Sequence, residues 1–166
     1  MPYGKSDYKI IDVTPTLDTS EYANRDALFN YTEIPNAVIG NGGCSKLLNI
    51  TVNSKKATST GMEIYLFGSP QSLESANTIL NITAAEGTAA NFLGYAEIPV
   101  FKDLGNFQVG LPFQQKSDTA DTDVAKLPFL LQAQDDSTSV YFIAKITGTV
   151  TYAADDLTFR FHLQYR

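Results

Sequence analysis

The chain has 166 residues, 43% of them hydrophobic and 18% charged, and a formal net charge of −6. That length suits one domain with a real hydrophobic core. The acidic balance, with Lys55-Lys56 as the sole adjacent basic pair, excludes the electrostatic footprint of a nucleic-acid binder, and no apolar run approaches the roughly 18 residues of a membrane span.

Ten phenylalanines, nine tyrosines and no tryptophan accompany many Thr, Asn and Ser residues. Low charge with this palette points to a β-sandwich rather than a helical bundle. One cysteine, Cys44, permits no intrachain disulfide, and Met1-Pro2-Tyr3-Gly4-Lys5 has no apolar leader. Both features predict synthesis in a reducing cytoplasm.

Residues 1–25 are polar, with Pro2, Gly4 and Pro15, and read as an extended N-terminal arm. Within it Ile10-Ile11-Asp12-Val13 predicts a strand. That strand either lies on its own domain or adds to an exposed sheet edge of a neighbour. Residues 26–166 read as a single β-sandwich domain. Residues 26–38 give a strand and a bend, because Pro35 cannot donate to a ladder. Asn41-Gly42-Gly43 is a turn signal. After it, Cys44, Lys46, Leu48, Ile50 and Val52 fall on one face of an alternating strand. Cys44 is thereby expected to be a small buried hydrophobe.

A polar loop, 54–61, precedes Met62 to Phe67, a short strand apolar on both faces and expected to be central. Thr83-Ala84-Ala85-Glu86 fits a capping box, and Gly94 suits a stop. Together they predict one short helix near 84–93, closing an open end of the sandwich. Further strands are expected at 95–101, 107–113, 127–134 and 139–147. In the fourth of these, Val140, Phe142, Ala144 and Ile146 share a face. From Leu157 to Arg166 the alternation has no fault. Leu157, Phe159, Phe161, Leu163 and Tyr165 are apolar or aromatic, and the intervening residues are polar. A period of two over this span is a strand with one face in a core and one in water. The sum is an all-β fold, an antiparallel two-sheet sandwich of about eight to ten short strands, jelly-roll-like.

Residues for chemistry are scarce. His162 is the single histidine and lies on the polar face of the last strand. Nothing in the spacing brings it to Cys44 with the third, orienting group that nucleophilic catalysis needs. Gly40, Gly42 and Gly43 lack the Lys-Ser/Thr and helix of a phosphate loop. Asp118, Asp121 and Asp123 crowd one loop, but it lacks the glycine and distal glutamate of a calcium hand. It reads as a solvated acidic loop. The expectation is a protein with no catalytic residue, no cofactor and no metal, and therefore not an enzyme.

Several segments are familiar in combination. Val13-Thr14-Pro15-Thr16-Leu17-Asp18-Thr19-Ser20 is followed by Tyr22-Ala23 and by Asp26-Ala27-Leu28-Phe29. Glu33-Ile34-Pro35-Asn36-Ala37 and Asn41-Gly42-Gly43 come next, then Leu93-Gly94 and Asp103-Leu104-Gly105. Gly148-Thr149-Val150-Thr151-Tyr152 leads into Asp156-Leu157-Thr158-Phe159-Arg160-Phe161. In this order the chain resembles a family of small virion proteins of tailed bacteriophages, the head decoration or cement proteins. The resemblance implies a non-enzymatic subunit on the outer capsid surface that stabilises the head. Its partners would be the major capsid protein and copies of itself, as a homotrimer, because symmetry multiplies a modest contact into avidity. Nucleic acid and membrane are not expected as partners. The expected capsid or subunit contacts are Ile10, Ile11 and Val13 of the arm, with Arg160, His162 and Arg166, the basic side of the last strand. The alternative is a receptor- or glycan-binding head-fibre or tail module of the particle, with Tyr65, Tyr95 and Tyr141 as residues to stack on sugars. A β-sandwich hydrolase would instead need two carboxylates converging on a cleft.

Overall fold

The structure is a computed structural model, and it describes residues 7–112 and 127–165. In chain order its strands are β1 (Tyr8–Val13), β2 (Glu21–Tyr22), β3 (Thr32–Ile34), β4 (Cys44–Ser54) and β5 (Met62–Phe67). A helix, α1 (Ala84–Ala89), intervenes. Then come β6 (Phe92–Ile98), β7 (Phe101–Asp103), β8 (Gln108–Gly110), β9 (Phe129–Gln132), β10 (Val140–Ile146), β11 (Val150–Thr151) and β12 (Leu157–Gln164).

Strand β12 behaves as its alternation dictates. Leu157, Phe159, Phe161 and Leu163 are buried, and the residues between them are half-buried. It pairs antiparallel with β1 on one edge and with β4 on the other. The far edge of β4 is shared by β9 at one end and β8 at the other, and β7 extends the sheet from β8. The second sheet runs β3-β10-β5-β6, and β2 with β11 makes a small ribbon. Every pairing is antiparallel, so the fold is an all-β, two-sheet antiparallel sandwich with one short helix.

The core lies between the sheets. Ile50, Val52, Phe159 and Phe161 from the first meet Ile64, Leu66, Phe142 and Ala144 from the second. The Phe142 ring is the hub. Its centroid lies 4.9 Å from that of Phe161, 5.1 Å from Phe159 and 5.2 Å from Phe29. Burying each such ring is worth about 1.5–3 kcal/mol, and edge-to-face contacts add to that.

The parity expected for β4 needs correction. Asn49 faces His162 while Leu47 faces Leu163, which leaves Leu48 as the extra residue of a β-bulge in β4. The bulge switches the buried set from Ser45 and Leu47 to Ile50, Val52 and Ser54. An inserted residue inverts which parity faces the core. Cys44 therefore points outward and is exposed, not buried as the uninterrupted alternation implies.

Of the two placements open to the N-terminal segment, the structure shows the one on its own domain. Residues 7–25 are woven into the body of the protein. β1 pairs with β12 over six residues. The Leu17 N–H donates to the Ala154 carbonyl at 3.0 Å, and Ile11, Leu17 and Tyr22 are buried in the shared core. Apolar side chains set among polar ones gave the segment enough burial to bind its own sheet.

Helix α1 is shorter than the expected 84–93. Its capping box forms as the sequence requires: Glu86 N–H donates to Thr83 Oγ1, and Thr83 N–H donates to Glu86 Oε2. The helix stops at Ala90, and Asn91 then takes a left-handed conformation with φ 53°. The chain enters β6 directly. The surrounding segment covers the outer face of the second sheet rather than an end of the sandwich. Leu73, Leu80 and Ala90 pack there on Ala27, Phe67 and Ile143 in a second, smaller core.

Candidate functional site

Strand register builds an aromatic surface on that outer face. Side chains directly opposite one another in neighbouring strands share a face and touch. Across β10, β5 and β6 the outward rows are Tyr141–Phe67–Phe92, Ile143–Tyr65–Tyr95 and Lys145–Glu63–Glu97. Tyr65 and Tyr95 stack with centroids 6.0 Å apart and planes 27° apart. Phe92 lies 6.4 Å from Tyr65 and 5.6 Å from Phe67. Of the three tyrosines suited to sugar stacking, the fold brings Tyr65 and Tyr95 together. Tyr141 packs instead on Tyr31 at 5.7 Å.

Next to this strip sits a compact polar cluster. Lys145 Nζ contacts Glu63 Oε2 at 2.6 Å and lies 5.5 Å from the Tyr65 ring centre. The Tyr65 hydroxyl donates to the same carboxylate. Burial pushes the Tyr65 phenol above its ordinary pKa, and its hydrogen bond to Glu63 adds to that. Burial works against the Lys145 ammonium, but its bonds to Glu63 and Tyr65 outweigh this and raise its pKa. The cluster fixes the Tyr65 ring from its polar end.

Between α1 and the aromatic strip lies an open groove of about 540 Å³. Phe67 and Ile82 are apolar residues in its lining, Tyr65 and Phe92 supply rings, and Thr83, Thr88 and Asn91 supply polar atoms. None of its lining residues carries a charge. Phe92 is 47% exposed. Asn91 and Phe92 were absorbed into the expected helix at the level of sequence. The missed signal is Asn91 itself, since asparagine is the usual non-glycine residue in the left-handed position after a helix.

The expected contact residues on the terminal strands divide between two faces. Ile10 pairs with His162 and Asp12 with Arg160, so Ile10, His162 and Arg160 share the solvent side of the first sheet, where Ile10 is exposed. Ile11 is buried and Val13 packs against the core. Arg160 Nε and Nη2 each donate to one oxygen of Asp12 at 2.8 Å, which balances its charge locally. His162 Nε2 lies 3.3 Å from Thr51 Oγ1. Arg166 and the loop carrying Asp118, Asp121 and Asp123 lie outside the described residues. Among the described residues, no three His, Cys, Asp or Glu side chains gather as metal ligands would, and no helix is long and apolar enough to cross a membrane. No family model, no curated protein and no solved structure matches the chain.

Proposed function

We propose that the chain is a non-enzymatic structural protein of a tailed-phage virion, a cement or decoration subunit that binds the outer capsid surface and stabilises the head. The strand order carries this reading. One sheet runs β1-β12-β4 with β8 and β9 beyond, and the other runs β3-β10-β5-β6. The first and last strands are neighbours, and the chain crosses repeatedly between layers. We read this order as jelly-roll-like, an architecture that recurs in viral capsid domains. Fold alone does not specify function. The second support is the run of turn and strand-end motifs from Val13 to Phe161, whose order resembles that of phage virion proteins.

The partners in this reading are the major capsid protein and further copies of the chain, as a homotrimer. The β7–β8 hairpin at one end of the first sheet offers area for such contacts. Val100, Leu104, Phe107 and Leu111, in and around it, are all exposed, and grouped exposed apolar side chains favour protein contacts. Immunogold labelling of purified particles with an antibody to this chain tests the reading. Gold over the heads is the expected result. Gold confined to tails, or none on particles, overturns it.

A further inference from the structure

We propose that the groove between α1 and the β5–β6 surface is a binding site for a neutral saccharide. This deepens the alternative reading of the chain as a glycan-binding module of the particle, and it holds whether or not the chain coats a capsid. Three observations carry it.

The first is the pair of surfaces a sugar needs. The C–H face of a pyranose stacks on an aromatic ring. Phe92 presents a ring that is 47% exposed, flanked by Tyr65, which is itself held by its stack on Tyr95 and its bond to Glu63. Rings with their polar ends already anchored lose little freedom when a ligand arrives.

The second is a pre-set amide. Asn91 stands in the left-handed region, and its Nδ2 lies so close to Gly68 that a Cβ there would meet it at 2.4 Å. The side-chain nitrogen therefore packs on Gly68, while the side-chain oxygen accepts no hydrogen bond among the described residues. The amide carbonyl is then the group left to accept from a sugar hydroxyl.

The third is the polarity of the remaining wall. Thr83 Oγ1 donates to Glu86 at 2.7 Å and Thr88 Oγ1 donates to the Ala84 carbonyl at 2.8 Å. Thr83 Oγ1 also accepts from Glu86 N–H in the capping box, so Thr88 Oγ1, its hydrogen committed, is the hydroxyl of this wall best placed to accept from a sugar O–H. The lining carries no cation, so a phosphorylated or sulfated ligand would find no charge partner. A purely apolar ligand would strip water from Asn91 and the threonines without replacing its hydrogen bonds. The volume is in the range of small-ligand sites.

The test is a two-dimensional amide NMR titration of the full chain with maltose, cellobiose, lactose and N,N′-diacetylchitobiose, each in turn, with 3′-sialyllactose and glucose 6-phosphate as anionic probes. The expected result is saturable shifts at Thr88, Asn91 and Phe92 with at least one neutral sugar. Phe92→Ala and Asn91→Gly each weaken that binding at least about tenfold, the scale of one lost good contact. Gly87→Gln provides a variant that leaves the aromatic residues untouched. The only atom near a Cβ at Gly87 is Ile82 Cγ2 at 3.8 Å, so the longer side chain enters the groove and blocks it. Each variant's amide spectrum and thermal midpoint report whether it is folded. Shifts with no neutral sugar, shifts with the anionic probes alone, or wild-type affinity in folded Phe92→Ala and Gly87→Gln would each overturn the proposal. None of these outcomes alters particle copy number, so a failure here is distinguishable from a failure of the virion reading.

Discussion

Asp12 and Arg160 are cross-strand partners joined by two 2.8 Å hydrogen bonds, and they tie the first strand of the protein to the last. The hydrogen bond from Arg160 lowers the Asp12 pKa, against the opposing effect of its slight burial, and the charges of Arg160 and His162 lower it further. A depressed carboxylate pKa stabilises the folded state above the unfolded value of about 3.9 and loses that contribution as pH falls through the lower folded value. Asp12→Asn should increase amide exchange in residues 8–13 at neutral pH while leaving β5 and β10 protected. It should also flatten the acid limb of that exchange. Hydrogen-exchange mass spectrometry across pH reads both effects. Unchanged exchange in residues 8–13 would show that side-chain burial alone holds β1.

Tyr22 and Tyr152, with ring centroids 6.3 Å apart, should respond oppositely to losing a hydroxyl. Tyr22 Oη donates to the Leu28 carbonyl at 2.8 Å and accepts from Asp18 N–H at 2.7 Å. Tyr152 Oη is buried near Ser59 and Thr60 but completes no hydrogen bond of good geometry. Tyr22→Phe should cost about 1–3 kcal/mol, whereas Tyr152→Phe should be neutral or raise stability by about 1 kcal/mol. Urea unfolding of both variants measures the difference.

Alkaline titration gives a second test of the same pair. Burial pushes both phenols up to about 12 from an ordinary 10.0. Their contribution to stability is therefore constant below pH 10 and declines as pH rises from there toward 12. The phenolate absorbance of the native protein should show a late-titrating class that merges with the rest in denaturant. A single class near 10 in the native state would contradict the buried placement.

Truncating the hub of the core should be severe. Phe142→Ala removes a fully buried ring that touches Phe29, Phe159 and Phe161. The expected loss is about 3–5 kcal/mol, read as a lower denaturation midpoint at unchanged slope. A loss under about 1 kcal/mol would mean that the two sheets do not meet at this ring.

Cys44 offers an inexpensive check of the bulge. An exposed thiol should react with a maleimide in the native protein as fast as in urea. Strong native protection would mean that β4 keeps one uninterrupted parity.

What the sequence revealed depends on how local the determining physics is. β12 and the inner face of β10 were legible because one face is buried along the whole strand, and period two then has nothing to compete with it. The capping box was legible because Thr83 and Glu86 satisfy each other three residues apart. The parity of β4 was not, because the bulge at Leu48 exists in the pairing with β12, more than a hundred residues away in sequence. The docking of residues 7–25 was equally remote, since it depends on an open edge of β12. At the groove, Tyr65 and Tyr95 were visible as aromatics on adjacent expected strands. The contributions of Asn91 and Phe92 awaited the early end of the helix and the close approach of Gly68.

The most direct test of the virion assignment is quantitative mass spectrometry of gradient-purified particles, scored against the major capsid protein. A cement or decoration subunit predicts a copy number comparable to that of the capsid protein. A ratio of a few per cent would move the chain to a fibre or tail, and its complete absence from particles would contradict the assignment.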